Sequence, residues 1–547
     1  MNRPFSRRQF LEMTASAALL AGTSVPARAA ASRPRPPFRL LYSNDLTNIL
    51  SCVSPFHRAR EPFRREMLEA TVDEVAGTGV DAHLFQPGLG TIPLWSSKVY
   101  PLDAHAAWLE ETYGLKPDPY TRFVLEGGDP IRVFIDRCRA RGQAPFISFR
   151  LNDVHHKETA SMKKGDKMSG SAAMALSKFY CAHPEYRIAP GGTAGRDRAL
   201  NWAVPAVRED KFVLLRELCE NYDFDGLELD FLRYYSFFRP AETTREERCA
   251  IITAFVRDVR ALLDRTARAG HHRWLGVRVP CYLEALDLLG LDLPALTATG
   301  VDMVNASAHY FTTQQHHLAA LRRRVPDTKL YFELCHTIWK GAKVQAGYDV
   351  FPYRRATREH LQTSAHLAYA RGADGISLFN FPYYREHGQG GGRGAFGEPP
   401  FDAVPALRDP QALAAAPQHW FIAFGWRAPG AKPLPVPRKI EPGKAAPFNF
   451  DLAPPEGGWK SAARLRVQCA EPLGASAWSA TFNGEPIAPT ADVSEPFQVM
   501  YPALLGEPPQ MRAWLVPAQL LRPGINRLEL SPPGGVGNTV EFIDLSA

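Results

Sequence analysis

Paired cysteines are missing. The eight cysteines (Cys52, Cys138, Cys181, Cys219, Cys249, Cys281, Cys335 and Cys469) are scattered and form no C-x-x-C, which excludes a zinc ribbon or a disulfide scaffold and leaves buried, reduced, inert thiols as the expectation. No H-E-x-x-H occurs and no H-x-H pair follows the first predicted strand, so the usual zinc-hydrolase spacings are absent. A Gly-rich phosphate turn after that strand is also absent, which argues against a dinucleotide-binding sheet. Beyond the N-terminus no apolar run approaches the roughly 20 residues of a membrane-spanning helix, so no membrane span is expected. Charge of one sign is scarce too. Of the formal +7, Arg3, Arg7, Arg8 and Arg28 against Glu12 supply a net three, and no dense Lys/Arg stripe appears. Nucleic acid is therefore not an expected partner. No cofactor is expected.

What the chain does have is bulk. With 547 residues, 45% hydrophobic and 11% aromatic, it has material for a large core and more than one domain. Residues 1–29 read as a targeting segment: Ser6-Arg-Arg-Gln-Phe-Leu11 precedes a short apolar run, Met13 to Gly22, and Ala27-Arg-Ala29 offers a small-x-small cleavage site. This resembles a bacterial twin-arginine export signal and implies a periplasmic or secreted protein. Residues 30–37, with three prolines, read as a linker.

From residue 38 to 427, strand and helix patterns alternate. Strands are expected at 38–45, 80–86, 144–152, 225–233, 274–280, 303–309, 329–335 and 374–380. Helical patterns are expected at 62–76, 130–141, 205–221, 246–268, 292–299, 313–324 and 357–371. Eight strands, nearly all followed by helical pattern, predict a (β/α)8 TIM barrel with insertions, the runner-up being a doubly wound open sheet. The proline-rich stretch 428–447 reads as a linker. Short alternating runs with Gly, Pro and Asn turns over 448–547 predict a jelly-roll-like β-sandwich accessory domain, read as a brace more than as a sugar-binding module.

The fourth strand carries the chemistry. In Asp225-Gly-Leu-Glu-Leu-Asp-Phe-Leu-Arg233 the period-2 pattern puts Glu228 and Asp230 on one face and Leu227, Leu229 and Phe231 on the other. Two neighbouring carboxylates raise the cost of ionising both, which marks a site that needs an acid or a base; a structural ion network with arginines is the alternative. Polar residues also end the other strands: Asn44 and Asp45, Gln86, Arg150, Asn152 with Asp153 and His155, Arg233 and Tyr234, Arg278, Asn305, His309 and Tyr310, Glu333, His336 and Trp339, and Asn380. Strand ends at that face are where barrel sites form. Carboxylates, amides and arginines ringed by aromatics suit a sugar. Strands four and seven lie across the mouth from each other, so Glu333 can face Glu228 or Asp230. Glycoside cleavage needs such an arrangement, with one carboxyl to protonate the leaving oxygen and one to attack or to activate water. Lys157, Lys163, Lys164 and Lys167, with Arg150, Arg233 and Arg278, point to an acidic or sulfated glycan. Two rival readings are a carbohydrate-binding barrel without turnover and a metal-dependent hydrolase using His83, His155, His156, Asp230 and His309.

The acidic run, with Arg150-Leu-Asn-Asp-Val-His155 upstream and Phe332-Glu-Leu334 downstream, resembles the glycoside-hydrolase-like barrels of environmental bacteria over roughly residues 38–425. In the barrel glycosidase superfamily the acid/base sits at the end of strand four and the nucleophile at the end of strand seven, which is similar to Glu228 and Glu333. The superfamily's usual Asn before the strand-four Glu is Leu227 here. The Glu-x-Asp spacing also resembles clans in which a strand-four Asp is the nucleophile or a two-acid motif assists the substrate's own group. The resemblance implies a secreted glycoside hydrolase with Glu333 as nucleophile or base, Glu228 as acid, and Asp230 tuning or replacing one of them.

Overall fold

The computed structural model describes residues 34–51, 62–168, 170–232, 234–340, 353–385, 398–423, 435–499, 508–535 and 537–547. The twin-arginine segment, Arg233 and the Gly-rich run 388–397 lie outside these residues, as does the side chain of Trp339. Contacts divide the chain into Met1–Arg35, of which Pro34 and Arg35 are exposed and irregular, and Pro36–Ala547.

Within Pro36–Ala547, eight parallel strands close into a barrel: β1 (Leu40–Asn44), β2 (Ala82–Phe85), β3 (Ala144–Arg150), β4 (Gly226–Asp230), β5 (Trp274–Pro280), β6 (Met303–Ser307), β7 (Lys329–Cys335) and β8 (Gly375–Phe379). Each pairs with its neighbour in sequence, and β8 pairs with β1. Helices such as Arg65–Asp73, Pro130–Ala140, Pro205–Asn221, Arg245–Thr266 and Arg358–Ala370 return the chain between strands. The wall follows from alternation. Leu227 and Leu229 of β4 face out and join Val207, Leu214, Val256 and Val259 of the flanking helices in one core, each buried aliphatic side chain contributing about 1.5–3 kcal/mol. Inward positions near the strand starts (Leu41, Ala82, Leu84, Phe146, Met303 and Tyr331) plug the floor. That floor needs glycine beside its rings. A Cβ at Gly226 would lie 2.1 Å from the Phe146 ring, and one at Gly375 2.4 Å from the Arg39 carbonyl oxygen.

Three segments depart from the sequence expectation. The aromatic insertion after β2 contains helices Leu102–Tyr113 and Pro119–Leu125. Strands Thr337–Lys340 and Tyr353–Arg355 pair as a hairpin between β7 and the next helix. His419–Ile422, placed by pattern within the barrel segment, pairs with Asn538–Ser546 as the edge of the C-terminal sheet.

The C-terminal part consists of two antiparallel sheets. One orders 419–422, 538–546, 463–469, 511–516 and 488–490, with 438–440 also on 538–546; the other orders 446–452, 524–531, 479–482 and 485–486. Trp420, Phe448, Phe450, Leu465, Val467, Trp514, Leu528, Leu530 and Leu545 fill one core between them. Polar contacts tie these sheets to the barrel. Gln314 donates to the His419 carbonyl and accepts from Phe421 N, at 3.2 and 2.8 Å, and Arg371 pairs with Asp451. Glu495 accepts two bonds from Arg354 of the hairpin, at 2.9 and 2.8 Å, and a third from Arg466 at 3.1 Å. Arg354 and Arg466 are both buried, and Arg466 has a second partner in Asp544.

Removing a partner from a buried ion pair strands a charge, whereas removing both charges costs far less. Glu495→Gln, which leaves Arg354 without its carboxylate, is expected to lower stability by about 3 kcal/mol. The double variant Arg354→Met, Glu495→Gln is expected to recover part of that loss. Equal midpoints in thermal unfolding of wild type and Glu495→Gln would show the clamp carries no load.

Candidate active site

Most side chains above the floor are polar, because successive inward positions toward the strand ends hold acids, amides, hydroxyls and arginines in place of aliphatics. From β4, both Glu228 and Asp230 face inward, and both are buried. Glu333 of β7 and Arg278 of β5 meet them. Arg278 Nε donates to Glu333 Oε2 at 2.7 Å and Nη2 to Oε1 at 2.6 Å, a two-point fork that fits planar guanidinium to planar carboxylate. Its Nη1 lies 3.2 Å from each Asp230 oxygen. Nη2 also donates to the His309 carbonyl at 3.1 Å, and the guanidinium sits 4.4 Å over the Phe379 ring. Burial opposes the arginine's charge, but Asp230 and Glu333 outweigh it and push its pKa further above the ordinary value.

Glu228 is held differently. Its partners are neutral donors, Ser148 Oγ at 2.8 Å and Asn305 Nδ2 at 3.1 Å. Burial first, and the charge of Asp230 second, raise its pKa to about 7. Asn305 Nδ2 also reaches Glu333 Oε2 at 3.4 Å and Ser377 Oγ at 3.2 Å. One amide thus touches an oxygen of both glutamates, so the two facing oxygens are no further apart than two hydrogen bonds laid end to end.

A second arginine extends the network. Arg150 pairs with Asp45, with Asp153 at 3.0 Å and with Asp230 at 3.7 Å. Asn380, at φ 60, donates Nδ2 to Asp45 at 3.0 Å and accepts from Asp45 N at 2.9 Å. His155 Nδ1 sits 2.7 Å from Asp153 on the rim, with Tyr234 edge-on at 5.9 Å. Gly90, at φ 65, lets the loop after β2 pass over this arginine; a Cβ there would meet the Arg150 carbonyl oxygen at 1.8 Å.

Of the residues expected from sequence, Glu228, Asp230, Glu333, Arg278, Asn305, Arg150, Asp45 and Asn380 thus form one connected cluster. His309 joins through its carbonyl, at φ 72. Tyr310 and His336 lie together with Tyr383, the His336 ring 4.6 Å from Tyr310 and 5.0 Å from Tyr383. Asn152 pins a loop instead, donating to the carbonyls of Leu200 and Ser236 at 2.8 and 2.9 Å. Asn44 points out of the barrel toward Thr71, at 3.4 Å. The sequence reading passed over Ser148, Ser307 and Ser377. Ser307 Oγ donates to Glu333 Oε1 at 2.6 Å, and the signal was present, since each shares the inward parity of its strand.

The residues suggested as a metal set do not come together. His83, of the suggested metal set, packs outside the wall between Tyr42 and Phe134, at 5.0 and 5.1 Å, and burial lowers its pKa to about 3. Among the described residues no three His, Cys, Asp or Glu side chains are placed to hold a metal ion. Among the lysines expected to draw an acidic glycan, Lys157 is buried with its ammonium on the Ala175 carbonyl, while Lys163, Lys164 and Lys167 remain exposed. No described helix is long and apolar enough to cross a membrane.

No protein-family model and no curated protein sequence matches the chain. Solved structures with which it aligns include the glycoside hydrolase domain of PgaB (BpsB) from Bordetella bronchiseptica, at 11% identity over 64% of this chain and 95% of that one, with a TM-score of 0.38. A glycoside hydrolase family 18 N-acetylglucosaminidase from Paenibacillus barengoltzii aligns at 11% identity, covering 68% and 99%, with a TM-score of 0.37. A family 29 α-L-fucosidase from Bacteroides thetaiotaomicron aligns at 12% identity, covering 90% and 93%, with a TM-score of 0.34. Superpositions this loose carry no weight for activity, so the functional case rests on the residues inside the barrel.

The raised pKa of Glu228 has a signed consequence. The folded state keeps a proton that the unfolded chain releases near 4.5, so stability from this group is fully present below that pH and is lost as pH rises to about 7. Glu228→Gln is neutral throughout. Its thermal midpoint is expected to gain on wild type between pH 4.5 and 7, and a pH-independent difference would show that Glu228 titrates as an ordinary carboxyl.

Proposed function

We propose that the chain is a glycoside hydrolase. The observation that carries this reading is the convergence of Glu228, Asp230 and Glu333 inside a closed parallel barrel, in one hydrogen-bonded cluster. Glu228 suits the general acid, because a carboxyl that keeps its proton to about pH 7 has one to give to a leaving oxygen. Glu333, its oxygens fixed by Arg278, suits the nucleophile or the base. Asp230 suits a tuning role, since its charge helps hold the proton on Glu228. These side chains are buried in this structure, so turnover requires the site to open.

A second reading, a barrel that binds glycans without cleaving them, is favoured by one observation: Arg278 engages both oxygens of Glu333 as a structural ion pair would. As to substrate, Arg150 and Arg278 spend their charge on Asp45, Asp153, Asp230 and Glu333. They give no support to an acidic or sulfated glycan, and a neutral one fits better. The two C-terminal sheets are read as a jelly-roll-like accessory that braces the barrel, a role supported by the clamp at Glu495. The twin-arginine segment is read as directing export to the periplasm or beyond.

Glu228→Gln, Asp230→Asn and Glu333→Gln, assayed as folded protein on a panel of oligo- and polysaccharides, are expected to lose activity, Glu228→Gln and Glu333→Gln by about 10²-fold or more. Full activity in all three variants ends the hydrolase reading. Glycan affinity without turnover in wild type supports the binding barrel. Replacing Arg7 and Arg8 by lysine is expected to retain the protein in the cytoplasm on cell fractionation, and unchanged export would remove the targeting proposal.

A further inference from the structure

Gln86 takes no part in the hydrogen-bonded cluster described above. It immediately follows β2, and the parity of that strand is fixed by its neighbours. Ala82 and Leu84 belong to the floor inside the barrel, while Phe85 stacks on Phe134 of an outer helix at 4.9 Å. Continuing the alternation brings Gln86 to the inner side. The registers Asn44↔Phe85, Phe85↔Ile147 and Ser148↔Glu228 then place Asp45, Gln86, Ser148 and Glu228 in one row across β1 to β4. Between Gln86 and the proposed acid stands Ser148, whose hydroxyl donates to Glu228 at 2.8 Å.

The amide is 1% exposed, yet neither its Nε2 nor its Oε1 has a hydrogen-bond partner among the described residues. Buried amides without partners are rare, because each unpaired atom forfeits its hydration. A second such atom lies on the far wall: Asn305 Oδ1 has no hydrogen-bond partner among the described residues, while its Nδ2 is committed to Glu228, Glu333 and Ser377. That commitment also fixes the amide's orientation, since a flip would set carbonyl oxygen against carboxylate.

We propose that Gln86 is a sugar-binding residue that reads two adjacent hydroxyls of a neutral ring held beside Glu228, with Asn305 Oδ1 accepting from a third. This rests on the glycan-binding part of the proposed function and adds the group read and its charge class. A primary amide presents one donor and one acceptor side by side in a plane. Neighbouring hydroxyls answer with one acceptor and one donor at matching spacing. A carboxylate or sulfate offers acceptors to both positions and leaves Oε1 facing an anion, so the pair selects neutral rings.

The test needs no turnover. Thermal unfolding of the full chain is followed in glucose, galactose, mannose, fucose and N-acetylglucosamine, for wild type, Gln86→Met and Glu228→Gln. At least one sugar is expected to raise the wild-type midpoint. Gln86→Met, similar in shape but without the paired donor and acceptor, is expected to weaken that sugar's apparent affinity at least tenfold while its own unliganded midpoint stays level or rises. If Gln86→Met does not fold, Gln86→Leu takes its place. A deoxy analogue lacking one of the two hydroxyls is expected to bind wild type more weakly than the parent sugar, and to bind Gln86→Met about as well as the parent does. Equal shifts in wild type and Gln86→Met, or no shift in wild type with any sugar, overturn the proposal. Loss of the hydrolase reading shows separately: the Gln86-dependent shift persists while wild type cleaves nothing.

Discussion

The inside of this barrel is governed by Arg278. Putting two carboxylates and a guanidinium in a space that excludes water is tolerable when the geometry is close and the remaining lone pairs are met, and here the fork on Glu333, the contact to Asp230, Ser307 Oγ and the His309 carbonyl satisfy nearly every direction around the group. Phe379 caps the planar head.

Glu228 takes its character from what that arginine leaves over. With Arg278 occupied by Asp230 and Glu333, the third acid has only neutral donors to offset its burial and Asp230's charge, so it holds its proton near neutrality. One cation thus makes three carboxyl groups chemically distinct. Division of labour of this kind is what acid–base catalysis on a glycoside asks for.

The barrel was legible because its strands are short, regular and separated by helical pattern: the expected β5 and β7 coincide with the observed strands, and the others differ by a few terminal residues. The convergence of Glu228, Asp230 and Glu333 was legible from period-2 spacing. The same rule shows why Asn44 and Asp45 cannot both face the interior, since consecutive strand residues point to opposite sides. Which arginine holds which acid was not readable, because, Arg150–Asp153 aside, those pairs join residues 48 to 105 positions apart. The hairpin after β7 and the strand at 419–422 were missed for another reason. Both are short, and both are strands through pairing with distant segments and not through any local pattern.

That last strand bears on how the molecule can be divided. Residues 419–422 precede the proline-rich stretch yet form the edge of a sheet made from the end of the chain, and Trp420 lies in that sheet's core. Severing the polypeptide within the prolines would therefore not free two modules. It would pull a tryptophan out of one half, bare the flank of Asn538–Ser546, and orphan the hairpin cation that leans on Glu495. Shuffling of such a protein between architectures has to proceed with barrel and sheets inherited together.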